Sequence, residues 1–381
     1  MLTDLASALA LAGFKIQVIC SRQRYDDAST RLTPREFFAG VSIHRVWTTR
    51  FGRGRLLGRA IDYLAFYASS ALAMLRLLKR GDTVVAKTDP PLISVVALVA
   101  AKLKGAILIN WLQDIFPEVA SRLNLSPLPR TLDAGLRRCR DLSLRRARTN
   151  IVLGEHMRDQ LERAGIPADR IQIIENWAKV HADQPKPAAH SGLRTRLGLD
   201  DRFVVGYSGN LGRAHEYRTL LGAAEILRTD PNVVFLMIGG GTGMRQLERE
   251  VRDRGLANFR FLAAQPRESL SDSLAAADVH WVSLLPELEG LIVPSKFYGI
   301  LAAARPVIFI GDADGELARH IRKCAGGTTI GIGQSAQLAR LLCAWRCDPL
   351  LLERMGEAGA RYYRERHLAR RAFEQWVRIL G

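Results

Sequence analysis

Asp278-Val-His-Trp-Val-Ser-Leu-Leu-Pro-Glu-Leu-Glu-Gly-Leu-Ile-Val-Pro-Ser-Lys-Phe-Tyr-Gly-Ile-Leu-Ala-Ala-Ala-Arg-Pro-Val-Ile-Phe-Ile310 organises this chain. Residues 279–285 are a continuous apolar run of buried-strand length, residues 287–290 make an acidic turn, and residues 295–304 have helical periodicity. Residues 307–310 form a second strand. The order strand, turn, helix, strand places Glu287 and Glu289 at the carboxyl end of a strand, where open α/β sheets hold their ligands. Ser295 can cap the helix, and the free amides of the first turn then make an anion site. Lys296 in that turn opposes the helix dipole, a local cost that a nearby anion would reverse. An ordinary β-α-β unit with a solvated lysine accounts for the same residues equally well.

The rest of the chain repeats the pattern. Residues 2–11 read as a helix, broken at Gly13 and followed by a strand over 15–20. Further strands fall at 41–48, 83–86, 106–110, 150–153 and 170–174, with helices at 92–103, 132–147 and 155–164. The 132–147 helix presents an apolar stripe of Leu132, Leu136, Cys139 and Ser143, with arginines elsewhere around it. After Trp177, residues 180–192 are rich in Pro, Ala, His and Lys and read as a surface connection. A second series of strands begins at 203–207 and continues at 233–238, 259–262, 279–285 and 307–310. Strands alternating with helices imply parallel sheets. The domain expectation is 1–177, then 178–348, then a basic helical tail over 349–381.

The length of 381 residues suits two domains, and 48% hydrophobic with 24% charged residues excludes a disordered chain. Cys20, Cys139, Cys324, Cys343 and Cys347 show no disulfide framework, which fits a reduced cytoplasmic protein. The net charge is +17. Residues 1–176 hold 27 Lys+Arg against 16 Asp+Glu, and the remainder 28 against 22, so the excess lies in the first half. Arg50, Arg53, Arg55 and Arg59 form one run, and residues 122–148 hold eight Arg and two Asp. Such a surface seeks phosphates, on nucleic acid or on anionic lipid. No nucleic-acid-binding module is recognisable, so nucleic acid is not expected as a partner. Residues 61–75 are apolar apart from Asp62 but shorter than the roughly 20 residues of a spanning helix. They suit a core helix or one touching a membrane surface.

Four further places carry chemistry. Ser208-Gly-Asn-Leu-Gly-Arg213 follows a strand and precedes a helix. Gly209 and Gly212 let the backbone approach a ligand, and Arg213 can pair with phosphate; a tight turn with an exposed arginine is the structural alternative. Gly239-Gly-Gly-Thr-Gly243 fits a dinucleotide loop poorly; it lets backbone pass close to a nucleotide or simply packs tightly. Asp114, in Gln113-Asp114 after a strand, can cap the segment that follows. Asp312-Ala-Asp314 has metal-binding spacing, but a helix-capping turn is the better reading, and no metal or other cofactor is expected.

Glu289-Gly-Leu-Ile-Val-Pro-Ser-Lys-Phe-Tyr-Gly-Ile-Leu-Ala-Ala-Ala-Arg-Pro-Val307 resembles the nucleotide-sugar site of bacterial family-4 glycosyltransferases, in the branch that builds O-antigen, capsule and colanic-acid-type polysaccharides. The resemblance covers nearly the whole chain. It implies a GT-B architecture, two Rossmann-like parallel-sheet domains facing across a cleft, with the tail crossing back to the first. It implies retaining transfer from a nucleotide sugar, the donor phosphate taking the acceptor proton, to a polyprenyl-diphosphate-linked saccharide. The enzyme would then be cytoplasmic and peripheral on the inner face of the plasma membrane, an anionic surface. Donor contacts fall on Gly209, Asn210, Gly212, Arg213, His215, Gly290, Leu291, Ser295 and Lys296, with Asp114, Glu287 and Glu289 as catalytic candidates.

Departures from the family pattern are specific. An Arg and a Lys of many relatives align with Asn210 and His215, so Arg213 and Lys296 are the expected substitutes. Two family glutamates eight apart align with Leu291 and Gly299; Glu287 or Glu289 can stand in for the first only. Gln113 replaces a histidine. The strand and Gly-rich turn that usually open the family are absent before residue 2, which leads to the expectation of a truncated start and a gap between neighbouring strands. A GT-B epimerase, or a degenerate non-catalytic partner at the membrane surface, is the alternative function.

Overall fold

A computed structural model describes residues 1–23, 32–51, 56–125, 129–178 and 191–381. The chain divides into two compact units. One comprises Met1–Leu153, Met157–Ile174 and Ala372–Gly381, the other Gly154–His156 and Glu175–Arg371. Arg53, Arg55 and most of the connection expected over 180–192 lie outside the described residues.

The first unit holds two sheets. Strands β1 (Ile16–Ser21), β2 (Arg35–Phe38) and β3 (Val41–Val46) form one, in the order β1-β3-β2. The β1–β3 pairing is parallel, and β2 joins β3 antiparallel through the turn at 39–40. The second sheet is parallel throughout and keeps chain order: β4 (Thr83–Lys87), β5 (Ile107–Trp111), β6 (Thr149–Val152) and β7 (Ile171–Ile173). Small residues organise its core. Ala86, Ala97, Ala100, Ala101 and Ala147 bring helices close to the sheet, and Met74 and Leu108 fill the remaining space. Trp111, at the end of β5, meets Trp376 of the final helix edge-on at 5.3 Å between ring centroids. Both rings are buried.

Two expectations for this unit are corrected. Leu132 and Cys139 are exposed on the helix Arg130–Arg146, whereas Arg140, Ser143, Leu144 and Ala147 are buried. The face is turned by an ion pair: Arg140 donates to both carboxylate oxygens of Glu118, at 2.9 and 2.7 Å, and to the Phe116 carbonyl at 2.8 Å. A paired arginine can take an inward position that an apolar stripe would otherwise claim. Asp114 is no helix cap, because the following helix is Glu118–Arg122 and its capping position is Pro117. The apolar run at 61–75 belongs to the helix Leu56–Leu77. No helix among the described residues is long and apolar enough to cross a membrane.

The second unit is a six-stranded parallel sheet of β8 (Phe203–Asn210), β9 (Val233–Gly240), β10 (Phe259–Leu262), β11 (Val279–Ser283), β12 (Val307–Ile310) and β13 (Gly327–Ile330), in the order β10-β9-β8-β11-β12-β13. Alternate residues of β8 enter opposite cores. Val205 and Tyr207 join the large cluster with Phe235 and Trp281, and Val204 joins the smaller one with Leu236. Burial on both faces is why these strands read as continuous apolar runs. The chain winds outward from β8 in one direction and from β11 in the other, so the order reverses between these two neighbours. Loops leaving their carboxyl ends diverge and leave a crevice, the usual ligand position of such sheets.

Candidate functional site

Two segments leave the reversal point. Residues 211–217 follow β8, whose last residues are Gly209 and Asn210, and residues 284–296 follow β11. Gly209 has φ +133, and a Cβ there would come 2.7 Å from Lys296 Cε, so the lysine stem lies directly on this turn. Lys296 Nζ is 3.4 Å from His215 Nε2 and 5.3 Å from the centre of the Tyr207 ring. His215 Nδ1 lies 2.6 Å from the Ser283 carbonyl oxygen. A carbonyl only accepts, so Nδ1 carries the proton and Nε2 offers its lone pair to the lysine. Tyr207 donates its own hydroxyl to the Asn210 carbonyl at 2.9 Å, which fixes the ring under the cation.

Electrostatics follow from this packing. Burial pushes the His215 pKa down to about 4, and the Lys296 charge adds to the shift. Burial also lowers Lys296 to about 8. The pair is therefore a neutral imidazole supporting a cation poor in solvent, with no carboxylate partner among the described residues. Such a cation gains most from an anionic ligand.

Ser295 does not cap the helix Lys296–Ala302. Its own backbone is helical at φ −66, ψ −16 and its side chain makes no capping hydrogen bond; a capping side chain needs extended backbone. Lys296 supplies the charged side chain of this turn. Arg213 is exposed and makes no ion pair among the described residues. Asn210 is exposed too, while Gly212 is partly buried. Gly290 has φ +74, and Leu291 is a buried apolar residue of the turn.

The two glutamates part company. Glu287 is exposed. Glu289 turns inward, and its Oε2 accepts from the Glu316 amide at 3.2 Å, at the start of the helix Glu316–Cys324. Burial raises Glu289 to about 7, with Asp312 and Glu316 adding to the effect. A Cβ on Gly315 would come 2.3 Å from Glu289 Oε1, so the carboxylate occupies the space beside that glycine. Glu289 is thus the cap of this helix, and Asp312 is not: Asp312 Oδ1 accepts from the Asp314 amide at 3.0 Å, a local turn.

The glycines at 239–241 have a packing reason. A Cβ on Gly239 would lie 2.0 Å from the Gly209 carbonyl oxygen, and one on Gly241 2.4 Å from that of Leu211. This loop buttresses the β8 turn from beneath. In the first unit, Asp114 is partly buried and raised to about 6, an effect of desolvation that Lys87 opposes and Asp89 reinforces. Beside it, the Gln113 amide donates to Thr88 Oγ1 at 2.9 Å and joins the ends of β4 and β5.

Sequence reasoning did not single out Tyr207 and Ser283. Both are ordinary buried strand residues in the sequence, and only the β8–β11 pairing shows that they face His215 and Lys296.

Residues 1–177 match the model of the glycosyl transferase 4-like domain, and residues 193–361 match glycosyl transferases group 1. The chain is 28% identical over 219 residues to a putative colanic acid biosynthesis glycosyl transferase, WcaI, of Escherichia coli K12. That alignment takes in 57% of this chain and spans only 53% of the relative's own length. Among solved structures, sucrose-phosphate synthase from Thermosynechococcus elongatus superposes with a TM-score of 0.78 at 16% identity, over 99% of this chain and 91% of that one. Anabaena Alr3699/HepE in complex with UDP and glucose gives 0.70 at 19% identity, over 90% and 86%. At these identities the likeness speaks for the fold.

Proposed function

We propose, from the premise that this chain belongs to the family-4 GT-B glycosyltransferases, that it moves a sugar with retention from a nucleotide-sugar donor to a lipid-linked saccharide during cell-surface polysaccharide synthesis. The observation that carries the reading is Lys296, a partly buried cation held against Gly209 and His215 at the strand-order reversal. A nucleoside diphosphate laid on this turn brings the negative charge that the lysine lacks. The HepE structure, which has UDP and glucose bound, supports a uridine donor as the first to test.

In this reading the protein supplies position and charge rather than a nucleophile. Lys296 stabilises the charge that develops on the departing diphosphate, and the neutral Nε2 of His215 keeps the ammonium aimed. Asp114 orients the acceptor hydroxyl, and the donor phosphate takes its proton. Exposed Trp47, Phe51 and Leu64, with Arg50 and Arg59, give the first unit an apolar and basic surface for an anionic membrane that carries the acceptor.

The test is transfer from UDP-, GDP- and dTDP-sugars onto extracted lipid-linked acceptors, with wild type and Lys296→Ala side by side. Loss of transfer by the variant, with an unchanged circular dichroism spectrum, is expected. Wild-type turnover by Lys296→Ala overturns the reading.

A further inference from the structure

Away from the Lys296 turn, three chain segments bring imidazoles and carboxylates together. Glu175 is the first residue of its segment in the second unit, His320 belongs to the helix Glu316–Cys324, and His367 follows the helix Pro349–Arg366. One ligand atom from each of Glu175, His320 and His367 can be chosen so that all lie within 4.8 Å of one another. His320 Nε2 is 3.1 Å from Glu175 Oε1 and 3.5 Å from Glu316 Oε1. His367 Nδ1 is 3.0 Å from Glu175 Oε2.

These are ion-pair distances. Neither His320 Nε2 nor either nitrogen of His367 has a hydrogen-bond partner, although all are buried. Buried nitrogens this close to carboxylate oxygens suit a protonated ion pair or a shared cation, and the mutual spacing of the three ligand atoms, all within 4.8 Å, favours a shared cation. Tetrahedral ligands at about 2.0–2.1 Å from a zinc ion stand roughly 3.3 Å apart, close to the separations found here. The outer contacts also suit a metal. His320 Nδ1 is held at 2.9 Å by the Tyr362 hydroxyl, which leaves Nε2 for the cluster. Tyr298 packs against His367 at 4.9 Å between ring centroids, so the site is walled by aromatic rings.

We propose that Glu175, His320 and His367 bind a divalent zinc-class cation, with Glu316 as the fourth ligand. Two imidazoles and carboxylate oxygens are a borderline donor set that zinc accepts in tetrahedral geometry. Two carboxylates with one divalent ion make a neutral centre. The ion ties Glu175 and His367 to one helix of the second unit, a structural role that does not depend on the proposed transfer reaction.

The experiment uses the full chain, stripped with chelator, dialysed and titrated with zinc or cobalt chloride. About one equivalent of zinc per chain is expected, with proton release seen as a dependence of the binding heat on buffer, and a zinc-dependent rise in Tm. Cobalt gives the strong visible bands of a tetrahedral site without a thiolate charge-transfer band. Tyr362→Phe, which keeps the ring, weakens zinc by about 10–100-fold, and Glu175→Gln abolishes the stoichiometric site. Absence of bound zinc in wild type overturns the proposal. So does a thiolate band, which moves the ion to cysteines, or zinc binding unchanged in Tyr362→Phe and Glu175→Gln. Transfer activity plays no part in these readouts, so the metal proposal and the functional one fail separately.

Discussion

Lys296 Nζ lies 3.4 Å from His215 Nε2, and the histidine is locked in that tautomer by the Ser283 carbonyl 2.6 Å from its other nitrogen. The arrangement is asymmetric. His215 stays neutral down to about pH 4, while Lys296 gives up its proton near 8. Removing the cation by Lys296→Ala should cost about 2.7–4 kcal/mol of transition-state stabilisation, or roughly 10²–10³-fold in kcat. His215→Ala loses the acceptor for the ammonium, worth about 1.5–3 kcal/mol for a hydrogen bond to a charged group. Steady-state kinetics of both variants, with donor varied, checks the order: the lysine variant must be the poorer enzyme.

The same pair sets an alkaline limb. In the free enzyme Lys296 is cationic below about 8, so kcat/KM should fall as pH rises through that value. A bound diphosphate favours the ammonium, so the limb in kcat should lie at higher pH. On the acid side, Asp114 is ionised only above about 6, and kcat/KM should fall below it. Asp114→Asn should remove the acid limb and leave the alkaline one. A profile in which the variant keeps both limbs rules out Asp114 as the titrating acceptor-side group.

Glu289 links pH to stability. Its folded pKa of about 7 is raised above that of an exposed glutamate. The folded protein therefore binds the proton more tightly than the unfolded chain. Stability from this group is complete below the unfolded value and is lost as pH rises through about 7. Glu289→Gln keeps an oxygen for the Glu316 amide and removes the charge. It should be about 1–3 kcal/mol more stable than wild type at pH 8 and nearly equal at pH 4. Urea titration at the two pH values measures this, and Glu287→Gln, at an exposed position, should stay within about 0.5 kcal/mol at both.

The sequence disclosed the parts of this site and not their arrangement. The 278–310 unit was legible because its strands are buried on both faces and its helix is bounded by Pro294 and Pro306. Strand β2 escaped because Arg35-Glu-Phe-Phe38 is exposed at every position, so no alternation marks it. Strand β13 escaped because Gly327-Thr-Thr-Ile330 has the composition of a turn. The face of the helix Arg130–Arg146 was misread because Arg140 is made buriable by Glu118, a partner 22 residues away. Lys296 was legible as a charge in an odd place. What fills its surroundings comes from Tyr207 and His215, more than eighty residues earlier, and no local pattern encodes such a distance.

The β8 turn offers a test of whether its glycines serve the lysine or only the fold. Gly209 takes φ +133, which strains any side chain, and its missing Cβ leaves room for Lys296 Cε. Backbone strain of that kind costs on the order of 1–3 kcal/mol. A lysine stem can move, so Gly209→Ala should fold with that loss and give up most of its donor affinity as the ammonium is displaced from His215. At Gly239, a Cβ would meet the Gly209 carbonyl oxygen at 2.0 Å, and backbone cannot step aside as a side chain can. Gly239→Ala should therefore lower stability more than Gly209→Ala, because it prises β8 and β9 apart. Thermal unfolding with and without nucleoside diphosphate separates the two effects. Gly209→Ala should lose the ligand-induced rise in Tm while keeping most of the intrinsic Tm; if it keeps the full ligand response, the diphosphate does not lie against Lys296.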